Sequence, residues 1–155
     1  MRVIDEKKKN FEIIVFDLDN LQQIWKGSEK SIWNLNETIG DRRRVGFTIS
    51  LDGEKLVEQS VDKDILMKFM ELSLEEKLHV LARMYAFSED MYMAMFKMRS
   101  EDFIPYKSIE EVVRDGIEAG AYEPEWYVAY LDWDEIIKDH KAYGYVETPF
   151  GVIYE

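Results

Sequence analysis

Val45-Gly-Phe-Thr-Ile-Ser-Leu51, then Asp52-Gly53, then Lys55-Leu-Val-Glu-Gln-Ser-Val61 is the stretch that decides the fold class of this chain. Both flanking runs are rich in β-branched and apolar residues. Asp-Gly tolerates the positive φ of a tight primed turn, so the stretch predicts a β-hairpin. Directly after it the apolar period changes from two to about 3.6. Asp62 to Met70 predicts a short helix. Ser73-Leu-Glu-Glu76 is a capping box, in which the hydroxyl accepts from an orphan amide while Glu76 reaches back. Leu74, Leu78, Leu81 and Tyr85 then recur as one helical stripe. A hairpin that hands over to capped helices predicts an α+β fold.

Working outward, Phe11-Glu-Ile-Ile-Val-Phe16 predicts a further strand. The region 18–40 predicts one or two short helical turns around Leu21, Ile24, Trp25, Ile32 and Trp33. Downstream, Ser88 is the expected start of a helix carrying Met91, Met95 and Met98 on one face. Ser108-Ile-Glu-Glu111 is a second capping box, opening a helix that buries Ile109, Val112, Val113 and Ile117, with Gly120 at its C-cap. Asp132 is placed to cap a last helix with Trp133, Ile136, Ile137 and His140 inward. Tyr143–Glu147 and Gly151–Tyr154 predict a closing strand pair around Thr148-Pro-Phe150. Three small modules follow from this: an antiparallel β module over 1–61, a helical module over 62–99, and an α+β module over 100–155 that ends in a hairpin.

Composition narrows the chemistry. The 155 residues are 46% hydrophobic, enough to bury a core. With 20 Lys+Arg against 32 Asp+Glu the net charge is −12. That argues against binding nucleic acid through a basic surface, because such binding rests on cations neutralising phosphates. The absence of cysteine excludes disulfides, Cys-ligated metals and thiol nucleophiles. Two histidines cannot build a three-histidine metal site, and no cofactor is expected. The opening Met1-Arg-Val-Ile-Asp-Glu-Lys7 has no apolar core of a signal peptide, so the chain reads as cytosolic.

Ile13-Ile-Val-Phe-Asp17-Leu-Asp19-Asn20 resembles the first motif of haloacid-dehalogenase-type phosphatases. There one carboxylate attacks phosphorus, a second handles the leaving-group proton, and Mg²⁺ neutralises the phosphate. Leu21 replaces the expected Thr, and no Gly-Asp-x-x-x-Asp motif follows. The plainer expectation is an edge strand running into an Asx turn. His79 and His140 read as packing residues with a satisfied ring nitrogen, and the methionines at 84, 91, 93, 95 and 98 read as core. Arg42-Arg43-Arg44 reads as a solvated loop or as a partner for the acidic half.

The acids are unevenly spread. Residues 1–60 carry 10 basic and 11 acidic side chains, whereas 61–155 carry 10 and 21. Within that half, 101–135 holds 11 acids against Lys107 and Arg114 alone. Glu111, Asp115 and Glu118 fall at i, i+4 and i+7, and Glu135 and Asp139 form a like-charge i, i+4 pair. Such pairs cost an isolated helix roughly 0.2–0.5 kcal/mol each. A chain that keeps them either needs solubility or offers an anionic surface to something cationic.

Tyr130-Leu-Asp132-Trp133, followed by Lys138-Asp139 and a Gly-containing hairpin, resembles the closing segment of ArdA-type antirestriction proteins. Gly116-Ile-Glu-Ala-Gly-Ala-Tyr-Glu123 is similar to the family's Tyr-Ile-Glu-Glu-Thr-Gly stretch. Leu72-Ser-Leu-Glu-Glu-Lys77 and the helices to about 98 match its middle region in order and length. The likeness covers about 70–155. The family's opening Gly-rich segment has no counterpart in the first 60 residues, and Lys138 stands where Arg is common. The resemblance implies an elongated, non-enzymatic homodimer whose carboxylates imitate duplex phosphates and block a DNA-binding host defence enzyme, above all a type I restriction–modification system. Duplex DNA carries one charge per roughly 1.7 Å, so a dimer at −24 would match about 40 Å of duplex. The implied partner-binding carboxylates are Glu110, Glu111, Asp115, Glu118, Glu123, Glu125, Asp132, Asp134, Glu135 and Asp139. The implied dimer interface is the aromatic set Tyr130, Trp133, Tyr143, Tyr145 and Tyr154. Two other readings stand beside it: a Mg²⁺-dependent phosphatase using Asp17 and Asp19, and an acidic protein-binding regulator without DNA mimicry.

Overall fold

The computed structural model describes residues 11–28, 32–118 and 132–154. Strand β1 (Phe11–Phe16) turns Phe11, Ile13 and Val15 inward in strict alternation. β2 (Gln23–Ser28) folds back antiparallel beside it, and helix α1 (Leu35–Ile39) follows, burying Leu35 and Ile39. β3 (Arg44–Leu51) and β4 (Glu54–Asp62) form the expected hairpin. Asp52 and Gly53 at its tip have φ of 51° and 84°, the two positive values that a type I′ turn requires. The sheet order is β2-β1-β3-β4, all antiparallel. Register pairs Ile13 with Ile49, Val15 with Phe47 and Ile49 with Val57, so the apolar residues share one face. On the other face the Phe16 ring lies across Gly46, where a Cβ would stand 2.0 Å from a ring carbon.

Of the helical turns expected over 18–40, α1 is one, whereas β2 replaces the other with a strand around Ile24 and Trp25. Its sequence, Gln-Ile-Trp-Lys-Gly-Ser, sends only Trp25 fully into the core, so no alternation announces a strand. Leu21 and Trp33 are 72% and 80% exposed rather than packed.

Helix α2 (Lys63–Glu71) begins directly at the end of β4 and buries Leu66, Phe69 and Met70. The Phe69 ring meets Phe47 edge-on at 5.7 Å. Helix α3 (Leu74–Phe87) opens with the capping box: Ser73 Oγ accepts from Glu76 N, and Glu76 Oε1 accepts from Ser73 N. Its stripe is wider than expected. Every residue from Lys77 to Met84 is buried, because α3 packs against β4, α4 and the second sheet at once, whereas Tyr85 is exposed. Ser88 ends α3 in a left-handed conformation (φ 53°), so it does not start the next helix. Asp90 does, accepting from Met93 N, and α4 runs Met91–Lys97.

The last elements are β5 (Phe103–Pro105), α5 (Ile109–Glu118), α6 (Trp133–Ala142), β6 (Tyr145–Thr148) and β7 (Gly151–Tyr154). Their three strands form a second antiparallel sheet in the order β5-β7-β6. Alternation along β7 divides the packing. Ile153 joins the large core with α3, while Val152 turns to Ile109 and Val113 of α5, with Trp133, Ile136 and Ile137 of α6 around them. The second sheet therefore lies between α3 on one face and α5 with α6 on the other. Phe150, fully buried and edge-on to Phe11 at 6.4 Å, ties the two sheets into one core that runs from β1 to β7. The architecture is α+β, with an N-terminal antiparallel sheet, helices in the middle and a C-terminal hairpin. No helix among the described residues is long and apolar enough to cross a membrane.

Candidate functional site

The acidic face is built on α5 and α6. An inward set of Ile109, Val112 and Val113 fixes which side of α5 meets the sheet, and that leaves Glu110, Glu111, Asp115 and Glu118 exposed. The second capping box forms: Glu111 N donates to Ser108 Oγ at 3.1 Å, and Ser108 N donates to Glu111 Oε1 at 3.3 Å. Glu147, reaching over from β6, accepts from Ile109 N at 2.8 Å, so two carboxylates serve the start of α5. On α6, Asp132 is the N-cap and accepts from Glu135 N. Asp134, Glu135 and Asp139 are exposed along it.

These carboxylates are not equivalent. Glu110 pairs with Arg114 at 2.7 Å, and Asp115 pairs with Lys107 at 3.3 Å. The Arg114 guanidinium also lies 5.0 Å over the Trp133 ring, which links α5 to α6 through a cation–π contact. Glu111 and Asp132 are held as caps. Glu118, Asp134, Glu135 and Asp139 remain as exposed carboxylates of the two helices. Glu123 and Glu125 lie outside the described residues.

The aromatic set divides in the same way. Tyr145 sits between His140 (5.0 Å, edge-on) and Tyr154 (4.9 Å). Tyr154 donates its hydroxyl to the Glu101 carbonyl, and burial pushes its pKa above the usual phenol value. Trp133 is half-buried beneath Arg114, and Tyr143 projects at 83% exposure. Tyr130 lies outside the described residues.

Asp17 ends β1 in the expected Asx turn. Its Oδ1 accepts from Asp19 N at 2.7 Å, and its Oδ2 accepts from Arg42 Nε at 2.8 Å. The Arg42 hydrogen bond, followed by that from Asp19, holds the carboxyl below its ordinary value. β1 is an interior strand and not the expected edge, because β2 flanks it. The basic run serves local partners: Arg42 also donates to the Thr38 and Ile39 carbonyls, Arg44 pairs with Asp62 at 2.8 Å, and Arg43 is exposed.

His140 behaves as expected, its Nδ1 lying 2.9 Å from the Ile136 carbonyl. His79 does not. It is 3% exposed and stacked on Phe103 at 4.8 Å, yet its Nε2 has no partner among the described residues. Desolvation, with the nearby Arg83 charge second, pushes its pKa down to about 4. Sequence reasoning also missed the buried pair Arg83–Glu89. Arg83 Nε and a terminal nitrogen donate to the two Glu89 oxygens at 3.1 and 2.8 Å, and the guanidinium stands over Phe87. Gln59 Nε2 donates to the Glu89 carbonyl at 2.9 Å, so the α3–α4 connection is bound to the first sheet. Only the burial of α3 on several sides reveals these groups. In comparisons with known proteins, no family model, no curated protein and no solved structure matches this chain.

Proposed function

We propose that this chain is a non-catalytic, cytoplasmic inhibitor that imitates duplex phosphates and occupies the DNA site of a bacterial host defence enzyme, type I restriction–modification above all. The observation that supports this reading is the exposure of Glu118, Asp134, Glu135 and Asp139 on two helices that pack together on one face of the second sheet. At about 1.5 Å rise per residue, acids at i, i+4 and i+7 stand about 6 and 4.5 Å apart along the axis. One DNA strand presents a phosphate per about 3.4 Å; because Asp115 already faces Lys107, the row on α5 leaves Glu111 and Glu118 about 10.5 Å apart, roughly one open charge per three phosphates of a strand. A groove lined with Lys and Arg would gain from such a face through many screened pairs, fast in association and sensitive to salt.

The four exposed acids are the ones to neutralise. Glu110 and Asp115 already face cations of the same chain, and removing Glu111 or Asp132 would also remove a cap. The combined change Glu118→Gln, Asp134→Asn, Glu135→Gln, Asp139→Asn is expected to weaken binding to the DNA-recognition and methyltransferase core of a type I enzyme and to flatten its salt dependence. A matched set in the N-terminal part, Glu37→Gln on α1, Asp41→Asn after it, and Asp52→Asn and Glu54→Gln at the β3–β4 turn, is expected to do less. Equal effects of the two sets would reduce the acidity to solubility and defeat the proposal.

A second reading rests on Tyr92 and Phe96, 57% and 75% exposed and stacked at 6.5 Å on α4. It makes the chain a protein-binding regulator without DNA mimicry. Loss of partner binding in Tyr92→Ser/Phe96→Ser, with the acid set without effect, would favour it.

A further inference from the structure

A cleft of about 590 Å³ separates the α1–β3 connection from the first two turns of α2. Lys63 ties its walls together: the amide donates to the Arg43 carbonyl at 2.8 Å, and Nζ donates to the Gly40 carbonyl at 2.6 Å. Four bases line the cleft against three acids, in a chain where acids outnumber bases by 32 to 20. Two of these charges are engaged from outside, Arg42 by Asp17 and Asp62 by Arg44, both at 2.8 Å. The others stay open. Arg43, Lys68, Asp41 and Asp64 are exposed, and their side chains make no ion pair or hydrogen bond among the described residues. Asp64 and Lys68 stand at i, i+4 on α2, the spacing at which helix ion pairs close, and theirs is not closed. The cleft therefore holds cations and carboxylates apart on a surface where such groups otherwise pair.

We infer that this cleft binds a phosphorylated polyol. Its phosphate lies between Arg43, Lys63 and Lys68, and its hydroxyls donate to Asp41 and Asp64. The anionic end is a phosphate because the Arg43 guanidinium forks onto two oxygens while the ammonium groups of Lys63 and Lys68 act as point charges on a dianion. Lys63 keeps donors for it, since an ammonium has three N–H groups and Gly40 takes one. The other end carries hydroxyls because ionised carboxylates only accept, and a bare anion would be repelled by them. Ile65 is the only large apolar side chain among the described lining residues, so the ligand is polar along its length. The volume falls within the range of roughly 300–1,000 Å³ common for small-molecule sites. The same chemistry comes from a free sugar phosphate or from the ribose phosphate of a nucleotide. The inference does not rest on the DNA-mimic reading, because no described residue lining the cleft belongs to α5 or α6.

The test is an NMR titration of the intact chain with ribose 5-phosphate in phosphate-free buffer, with inorganic phosphate and free ribose compared. A chain at −12 repels anions at long range, so about 0.15 M sodium chloride is present, where a screening length of about 8 Å leaves the cleft's own charges to decide. A ligand of about fourteen non-hydrogen atoms is expected to saturate in the millimolar range. Backbone amide signals of Asp41, Arg43, Asp64 and Lys68 are expected to shift. Inorganic phosphate should move the same signals with an affinity several-fold weaker, and ribose should leave them in place. Lys68→Gln is expected to weaken both phosphate ligands several-fold. Asp64→Ala is expected to weaken ribose 5-phosphate and not inorganic phosphate, because it removes a hydroxyl acceptor together with a repelling charge. Both positions are exposed, and unchanged signals elsewhere in the spectrum establish that the fold is intact. Adenosine monophosphate separates the sources: affinity at least equal to that of ribose 5-phosphate assigns the cleft to a nucleotide, and weaker binding assigns it to a free sugar phosphate. Three results would overturn the inference: unmoved cleft signals at about 50 mM ribose 5-phosphate, inorganic phosphate binding as tightly as the sugar phosphate (an adventitious ion only), or equal weakening of both ligands in Asp64→Ala.

Discussion

Replacing Glu89 by Gln keeps the shape of the side chain and removes its charge. In the wild type both Glu89 oxygens receive Arg83, whose side chain is 7% exposed while that of Glu89 is 12% exposed. Lys97, at 3.8 Å from Glu89 and largely in solvent, contributes little. In the variant the Arg83 cation stays buried against Phe87 with one neutral acceptor in place of a carboxylate. Breaking a buried pair from one side costs about 3–5 kcal/mol. For a chain of 155 residues, each kcal/mol moves Tm by about 2–4 °C, so thermal unfolding followed by circular dichroism should fall by about 6–20 °C. Urea unfolding should show an earlier midpoint with an unchanged slope, the sign of lost stability without a changed unfolded state. Added salt should not close the gap, because a buried pair is weakly screened. The double variant Arg83→Met/Glu89→Leu should recover most of the loss, since an apolar replacement of both partners avoids the stranded charge. A loss below about 1 kcal/mol in Glu89→Gln, the size of an exposed pair, would refute the view that this contact anchors α3 to α4.

Three further outcomes follow from particular contacts. Gly46→Ala should cost about 1–3 kcal/mol, because its Cβ would enter the Phe16 ring, and the cost should shrink in a Phe16→Ala background when both are measured by denaturant unfolding. Glu147→Ala should fray α5 and cost about 0.5–2 kcal/mol, with faster amide exchange at Ile109 as the local readout. His79 has a folded-state pKa of about 4 against about 6.5 unfolded, so the unfolded chain binds the extra proton. Stability is then full above pH 6.5 and falls between about pH 6.5 and 4, by roughly 3 kcal/mol. His79→Gln should flatten that interval, and a slope that survives the substitution would remove His79 as its cause.

The legible parts of the fold are those encoded locally. Asp52-Gly53 announces the β3–β4 hairpin because the turn itself demands positive φ. The two capping boxes are written in four residues each, and both form. β2 was hidden because Trp25 is its only fully buried side chain, and the pairing with β1 supplies what the pattern lacks. The burial of Lys77, His79 and Arg83 was hidden for another reason: three separate elements converge on α3, and no stretch of sequence records that convergence. In the acidic face, the outward placement of Glu118, Asp134, Glu135 and Asp139 is readable from helical spacing. The Lys107–Asp115 pair and the Glu147 cap depend on approaches between elements, so the sequence overstates how many carboxylates stand open to a partner.

The most direct test of the DNA-mimic proposal is displacement of a labelled duplex of about 20 base pairs from the DNA-recognition and methyltransferase core of a type I restriction enzyme, followed by fluorescence anisotropy. Such a duplex exceeds the about 40 Å that two copies at −12 each would match in charge. The proposal predicts complete and competitive displacement, with an affinity that falls steadily as salt rises. A ternary complex in which duplex and protein are bound together, or a bound duplex that the protein cannot displace at any salt, would contradict it.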